Sequence, residues 1–173
     1  MSLLCAYDAV GVGSGDEVIV PSITFWASAA QIQSGLGAAV VFADVLPDTL
    51  CVDPEDVERR ITPRTKAVVP THLFGTPCDM DAINAIAKEH GVQVIEACAQ
   101  STGARYKGQR VGHLGDHAYY TFGLTKNITT LSGAMITTDD DDVAAAGCHQ
   151  DLAGEPPPRD PAAEAAAAAA EAE

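Results

Sequence analysis

A lysine that follows a short β-type run is the first candidate for chemistry in this sequence. The run Tyr119–Phe122 carries a hydroxyl near its end, and Lys126 comes four residues after the run, in a polar loop. The other lysines lie where solvent exposure is expected, at Lys66, Lys88 and Lys107. A lysine whose amine loses its proton on burial can form a Schiff base with a carbonyl cofactor. Lys126 is therefore a candidate covalent anchor, if the rest of the chain builds a site around it.

The elements that must position Lys126 alternate between strand and helix. Short apolar runs predict strands at Glu17–Val20, Ala39–Ala43, Lys66–Val69, Val92–Glu96, His117–Phe122 and Ala134–Thr138. Apolar spacing and capping residues predict helices over 2–10 and 25–35, after Asp53, from Asp79 or Asp81 to His90, and from Asp139–Asp142 toward Cys148. This alternation predicts an α/β fold with a mainly parallel sheet and helices on both faces. Such sheets bind ligands at the carboxyl ends of their strands.

The 173-residue length predicts one domain with a real core, followed by a tail. The domain is expected to occupy residues 1–150. From about Asp151 the sequence becomes rich in Pro, Ala and Glu, which predicts a disordered or loosely helical tail over 151–173. The chain opens late in a helical pattern, so we expect its own beginning to be missing.

Charge and cysteine usage exclude several classes of partner. The formal net charge is −14 and no basic stripe is present, so nucleic-acid binding has no electrostatic support. No signal peptide or membrane-spanning segment is predicted. The five cysteines are scattered, with no C-x-x-C pair, which favours reduced thiols in a cytoplasm over a disulfide framework or a zinc site. No metal site is predicted.

Three glycines near the start could be taken for a dinucleotide-binding fingerprint. Gly11, Gly13 and Gly15 follow a predicted helix and precede a predicted strand. The fingerprint requires the opposite order, a strand followed by a helix. A nicotinamide-dependent sugar enzyme, which would share the α/β class, is therefore not favoured.

A series of short motifs runs through most of the chain in a fixed order. The motifs are Gly15–Pro21, Ile61–Ala67, Thr71–Gly75, Asp79–Ile83, Val94–Glu96 with Ala99-Gln100, Tyr106–Gly108 with Val111-Gly112, Gly115-Asp116, and Thr121-Phe122 with Lys126-Asn127. In this order and spacing they resemble the DegT/DnrJ/StrS family of PLP-dependent sugar aminotransferases, from about residue 3 to about residue 147. The resemblance implies the large domain of a fold-type-I pyridoxal phosphate (PLP) transferase, truncated at both ends.

The resemblance also implies a role for individual residues. Lys126 matches the lysine that holds PLP as a Schiff base and later moves a proton. Thr121 matches a hydroxyl that contacts the cofactor phosphate. Phe25 matches an aromatic residue that stacks on the pyridine ring. Gln100 matches a residue near the cofactor's phenolic oxygen, and Asn127 is given a weak supporting role.

Two further residues have competing interpretations. Trp26 lies next to Phe25 and could be confused with it as the stacking aromatic. His72 lies in a family motif but matches no residue with a cofactor role, so we interpret it as structural.

Family members transfer an amino group from an amino acid, usually glutamate, to a nucleotide-linked keto sugar. The resemblance therefore implies PLP as cofactor, and a nucleotide-sugar and an amino-acid donor as substrates. It also implies a homodimer or a dimer with a full-length relative.

The sequence departs from the family pattern in ways that lower the expected activity. Where the family has an aspartate that pairs with the pyridinium nitrogen, this chain has Ala97. The adjacent Glu96 should point to the opposite face of its strand. The family's Gly-Thr phosphate-binding turn and its small domain also have no counterpart here. The alternative is therefore a catalytically impaired or truncated remnant that acts, if at all, as a non-enzymatic partner of a full-length relative.

Overall fold

The computed structural model describes residues 2–148, and the predicted tail at 151–173 lies outside them. The strands, in chain order, are β1 (Glu17–Pro21), β2 (Ala39–Ala43), β3 (Thr65–Val68), β4 (Gln93–Ala97), β5 (Arg105–Tyr106), β6 (Gln109–Arg110), β7 (His117–Thr121) and β8 (Ala134–Thr138). Six of them form one sheet in the order β2-β1-β3-β4-β7-β8. All neighbours in this sheet are parallel except β7 and β8, which are antiparallel.

The helices alternate with the strands, as the sequence predicts. They are α1 (Ser2–Ala9), α2 (Trp26–Ala30), α3 (Pro54–Arg60), α4 (Met80–His90) and α5 (Asp141–Cys148). Capping fixes two of the starts, because the Asp53 side chain accepts from the Glu55 N–H and the Asp79 side chain accepts from the Ala82 N–H. Among residues 2–148, no helix has both the length and the apolar character needed to cross a membrane.

The segment predicted as one helix over 25–35 differs in type from the prediction. α2 ends at Ala30, and the chain continues as a π-helical turn over Gln31–Gly35. Here the Ser34 hydroxyl donates to the Ala30 carbonyl oxygen at 2.6 Å. A side-chain donor on an i−4 carbonyl competes with the backbone N–H that would continue a regular α-helix.

The two faces of the sheet carry separate cores. On β1, Val18 and Val20 face one core together with Tyr7 of α1, while Ile19 faces the other. The second core contains side chains from α3 and α4, including Val57 and Ile83. Since successive strand residues point to opposite faces, the apolar run of β1 supplies both cores. The predicted mainly parallel sheet with helices on both faces is confirmed.

Two strands are shifted by one residue from their predicted positions, and β1 and β7 each end one residue away from the prediction. β3 covers Thr65–Val68 instead of Lys66–Val69, and β4 covers Gln93–Ala97 instead of Val92–Glu96. The Ala97 N–H donates to the Pro70 carbonyl oxygen at 2.9 Å, which extends β4 to that residue. As the last residue of β4, Ala97 pairs in register with Tyr119 of β7.

Candidate active site

A cavity of about 700 Å³ opens at the carboxyl ends of the parallel strands. It is bordered by the residues that follow β1 and β3, by the end of β4, and by the loop that joins β7 to β8. The four residues predicted to bind a cofactor all line it: Phe25, Gln100, Thr121 and Lys126. The fold thus brings together side chains that lie about a hundred positions apart in the chain.

Lys126 and Phe25 face each other across this cavity. The Lys126 Nζ lies 5.1 Å from the centroid of the Phe25 ring, within cation–π distance. Of the two adjacent aromatics, Phe25 lines the cavity, whereas Trp26 is 67% exposed and is not among the lining residues. A flat ligand that reached the Lys126 amine would therefore meet the Phe25 ring.

The loop that carries Lys126 is held by hydrogen bonds on both sides. The Lys126 N–H donates to the Gly123 carbonyl oxygen at 3.0 Å, and the Phe122 N–H donates to the Gly133 carbonyl oxygen at 2.9 Å. The Asn127 side-chain amide donates to the Thr102 carbonyl oxygen at 3.2 Å. Asn127 thereby ties the lysine loop to the loop that carries Gln100.

Thr121 presents a polar atom that the fold leaves without a partner. Its Oγ1 is buried and forms no hydrogen bond with any residue that the structure describes. Leaving a buried hydroxyl unpaired costs about 1–3 kcal/mol. An unpaired hydroxyl on a cavity wall can donate to an oxygen of a bound anion, such as a phosphate.

The Gln100 amide is oriented by a strained neighbour. The Phe74 N–H reaches the Gln100 Oε1 at 3.4 Å, and Phe74 adopts a positive φ of 51°. Because the oxygen end of the amide is engaged, its NH₂ end is left to donate. This agrees with the donor role predicted for Gln100.

Ala97 and Glu96 occupy opposite sides of β4, as the alternation of strand residues predicts. Ala97 lines the cavity with its methyl group, and no carboxylate occurs among the cavity-lining residues of the described chain. Glu96 is fully buried on the other side. Its carboxylate accepts from the Gly112, Leu114 and Gly115 N–H groups at 2.7–2.8 Å, and from His72 at 2.9 Å.

His72 belongs to the network around Glu96. Its Nδ1 accepts from the Cys78 N–H at 3.1 Å, so its Nε2 carries the proton and donates to Glu96. Burial raises the pKa of Glu96, but the hydrogen bonds from His72 and the backbone outweigh that effect and hold the pKa below its usual range.

Potential metal ligands also come together in this network. His72, Glu96 and Cys98 have ligand atoms within 4.8 Å of one another. However, both ring nitrogens of His72 and both oxygens of Glu96 already take part in hydrogen bonds. These hydrogen bonds support the structural interpretation of His72.

Four cavity-lining hydroxyls were not identified from the sequence. The Thr24 and Thr71 hydroxyls lie 3.1 Å apart, and the Ser28 and Tyr119 hydroxyls lie 3.3 Å apart. Thr71 precedes His72 in a recognised motif, which is a weak signal. Nothing in the local sequence marks Ser28 or Tyr119, because their proximity depends on how α2 packs against β7.

The residues present fit PLP at three of its chemical groups. Lys126 supplies an amine for an aldehyde, Phe25 supplies a flat apolar face, and the unpaired Thr121 hydroxyl supplies a donor for phosphate. Among residues 2–148, no carboxylate lines the cavity to pair with a ring nitrogen. The site is therefore suited to a phosphorylated aromatic aldehyde whose ring nitrogen meets a neutral wall.

The fold and this cavity define the large-domain core of a PLP-dependent aminotransferase. A solved structure of NtdA from Bacillus subtilis with bound cofactor PMP matches with a TM-score of 0.77 and 31% identity, over 86% of this chain and 33% of that one. The model of the DegT/DnrJ/EryC1/StrS aminotransferase family matches residues 1–154. The chain belongs to this family.

Curated relatives carry the names of an aminotransferase, a synthase and a pleiotropic regulatory protein. An L-glutamine:2-deoxy-scyllo-inosose aminotransferase from Micromonospora echinospora is 47% identical over 137 residues, covering 79% of this chain and 32% of that protein. A GDP-perosamine synthase from Caulobacter vibrioides is 49% identical over 136 residues, covering 79% and 36%. The chain thus spans about a third of the length of the curated relatives it matches.

Proposed function

We propose that this chain binds PLP through Lys126 and takes part in transferring an amino group from an amino acid to a nucleotide-linked keto sugar. One observation carries the proposal: Lys126, Phe25, Gln100 and Thr121 line a single cavity at the carboxyl edge of the sheet. The names of the relatives support a sugar or cyclitol acceptor. Glutamate is the donor we expect, and the name of one relative specifies L-glutamine.

In this proposal each side chain has a separate task. Lys126 would hold the cofactor through its amine, and the same amine would carry a proton to or from the substrate carbon. Phe25 holds the ring flat and excludes water from one face. Thr121 donates to the phosphate and Gln100 donates to the phenolic oxygen. Bound PLP supplies an aromatic ring that withdraws electrons from the substrate.

The test is a titration of the chain with PLP, followed by absorbance. Wild type should develop an absorbance band near the edge of the visible range, which is typical of PLP bound to a lysine, and Lys126→Ala should not. Lys88→Ala is the matched control, because Lys88 is exposed on α4 and does not line the cavity. Borohydride reduction followed by peptide mass spectrometry should place the cofactor on Lys126. Unchanged spectra in wild type and variant, together with no modified peptide, would contradict the proposal.

A second candidate function is favoured by the alanine at position 97. Because no carboxylate lines the cavity among the described residues, a bound ring nitrogen would lack the anion that keeps it protonated. On this alternative the chain binds PLP but turns over poorly, and acts as a partner of a full-length relative. Mixing the PLP-loaded chain with glutamate distinguishes the catalytic function from the partner role. Conversion of the bound cofactor to its amino form within minutes favours catalysis, and no conversion over hours favours the partner role.

A dimer is also part of the proposal. Large apolar side chains are exposed on the loops around the cavity, with Phe74 at 78%, Leu131 at 75% and Leu124 at 73%. Exposed apolar side chains clustered beside a site are typical of a surface that another chain covers. Light scattering should give a dimer mass that falls when Phe74 and Leu131 are both changed to Ser. A monomer mass in wild type would contradict a homodimer. The cytoplasmic location stays a prediction from the cysteines.

A further inference from the structure

Two buried thiols lie in the core that packs α3 and α4 against the sheet. Cys51 comes shortly before α3 and is 2% exposed, and Cys78 comes shortly before α4 and is fully buried. Both are free thiols, and neither lines the cavity that holds Lys126. The proposed function therefore makes no use of them.

Each thiol holds one end of the same loop, which we call the 71–76 loop. The Cys78 thiol donates to the Thr71 carbonyl oxygen at 3.2 Å, at the start of the loop. The Cys51 thiol donates to the Thr76 carbonyl oxygen at 3.3 Å, at its end. The side chain of Thr71 lines the cavity. The two thiols thus fix a loop that borders the candidate active site.

The two thiols also interact with each other. A hydrogen bond from the Cys78 thiol is the main cause that lowers the pKa of Cys51, to about 6. The thiolate is the form of cysteine that attacks an oxidant, and a second thiol beside it can then close a disulfide. By contrast, burial raises the pKa of Cys98, which lies in a separate core cluster. The neighbouring Leu50 is 38% exposed, so local opening of the turn before Cys51 would admit a small oxidant.

We propose that Cys51 and Cys78 form a reversible disulfide when a peroxide reaches them, and that this bond loosens the 71–76 loop beside the cavity. The Cys51 sulfur attacks one peroxide oxygen and the O–O bond breaks. The other oxygen leaves as hydroxide, which takes up the proton that Cys51 had released and becomes water. The Cys78 sulfur then displaces the hydroxyl group of the Cys51 sulfenic acid, and that group leaves with the Cys78 proton as a second water.

The disulfide has no S–H group left to donate. The Thr71 and Thr76 carbonyl oxygens therefore lose the hydrogen bonds that hold the two ends of the loop. An external thiol reductant reverses the change by returning a proton and an electron to each sulfur. This inference does not depend on PLP binding.

The first test maps disulfides in the full chain and needs no variant. The reduced chain is treated with hydrogen peroxide, its remaining thiols are alkylated in denaturant, and its peptides are analysed by mass spectrometry. The peptides that contain Cys51 and Cys78 should be joined, with the loss of two hydrogens, and dithiothreitol should separate them. Cys98 should be recovered as an alkylated thiol.

Variants of the pair separate the two steps of the oxidation. In Cys78→Ser, Cys51 should stop at the sulfenic acid, which dimedone traps, and in Cys51→Ser neither product should form. Cys5→Ser is the matched control, because Cys5 lies on α1, which packs on the opposite face of the sheet. It should leave the Cys51–Cys78 disulfide unchanged.

The second test reads the 71–76 loop by hydrogen exchange of single amides. The Thr76 N–H donates to the Leu73 carbonyl oxygen at 2.8 Å, and the Gly75 N–H donates to the Ser101 hydroxyl oxygen at 3.1 Å. Peroxide should speed the exchange of both amides about tenfold, the value of one lost hydrogen bond. Amides in the middle of α4 should not change. In Cys51→Ser/Cys78→Ser, peroxide should change none of these amides.

Two results would overturn the inference. Recovery of Cys51 and Cys78 as separate alkylated peptides, or pairing of either one with another cysteine, would overturn the disulfide. A complete Cys51–Cys78 disulfide with unchanged exchange at Thr76 would overturn the loosening of the loop. Both results would leave the proposed binding of PLP through Lys126 as it stands.

Discussion

The two sides of β4 differ in how completely their polar groups are satisfied. On the buried side, the Glu96 carboxylate accepts four hydrogen bonds, from His72 and from three backbone N–H groups. On the cavity side of the sheet, the Thr121 hydroxyl has no partner among the described residues. Native proteins leave few buried polar groups unpaired, so the contrast separates a structural network from a ligand site.

This comparison also explains why Glu96 cannot replace the missing carboxylate. Turning Glu96 toward the cavity would leave three N–H groups and His72 without an acceptor. Each buried group left unpaired costs about 1–3 kcal/mol. The Glu96 carboxylate therefore holds the Gly112–Gly115 turn against β4 and stays out of the cavity. The cavity wall beside it, at Ala97, is made of neutral side chains.

The largest expected effect comes from breaking the satisfied side. Glu96→Gln replaces a carboxylate oxygen by an NH₂ group that faces N–H donors, so it should lower the free energy of unfolding by about 3 kcal/mol or more. Urea denaturation measures the loss, and Glu89→Gln, an exposed change on α4, is the control. A loss below about 1 kcal/mol would show that the network around Glu96 contributes little.

A second carboxylate on the same side of the sheet gives a pH-dependent test. Hydrogen bonds from Arg60 and from the Asp44 N–H lower the pKa of Asp56 from 3.8 to about 2. A depressed pKa stabilises the fold above the unfolded value, and this stabilisation is lost as the pH falls through the folded value. Asp56→Asn should therefore remove about 1–2 kcal/mol at neutral pH. It should also flatten the stability decline between pH 4 and pH 2; an unchanged decline would argue against this coupling.

On the cavity side, removing a polar group should raise the free energy of unfolding instead of lowering it. Thr121→Val removes an unpaired buried hydroxyl, so it should stabilise the ligand-free chain by about 1 kcal/mol and weaken PLP binding about tenfold. Thr137→Val is the matched control, because the Thr137 hydroxyl donates to the Gly112 carbonyl oxygen at 2.9 Å. That control should destabilise the chain and leave PLP affinity unchanged. If both variants lose stability, the Thr121 hydroxyl has a partner in solution.

The smallest expected effect concerns the tether between the two cavity loops. Asn127→Ala should reduce PLP affinity about threefold by releasing the lysine loop from Thr102, with a stability loss of about 0.5 kcal/mol. Asn84→Ala removes an equivalent hydrogen bond, which the Asn84 side-chain amide donates to the Leu114 carbonyl oxygen at 2.6 Å. Neither residue lines the cavity. This change should lower stability alone. Equal effects of the two changes on PLP affinity would remove the special role of Asn127.

Much of the fold could be predicted because it follows from local periodicity and capping. Asp53 caps its helix as the sequence predicts, and of the two predicted starts Asp79 and Asp81 the structure has Asp79 as the cap, because caps act within a few residues. The shift of β4 to end at Ala97 could not be predicted, since it depends on the hydrogen bond to Pro70, which lies in the loop after β3. The π-helical turn after Ala30 could not be predicted either, because tertiary packing decides between backbone conformations of nearly equal energy.

Part of the candidate site could likewise be predicted from the sequence, and part of it could not. The ordered motifs were enough to identify the family. They also predicted four site residues, Phe25, Gln100, Thr121 and Lys126, which the fold places along one cavity. It also determined that Ala97 and Glu96 point apart, because strand residues alternate.

Only the tertiary structure decided which unmarked residues complete the cavity. Ser28 and Tyr119 are 91 positions apart. Their hydroxyls meet because α2 packs on the face of the sheet to which the Tyr119 side chain of β7 points. Such contacts follow from the packing of whole elements, which no local pattern encodes. The hydroxyl contact between Ser28 and Tyr119 is thus one that the sequence permits and the fold creates.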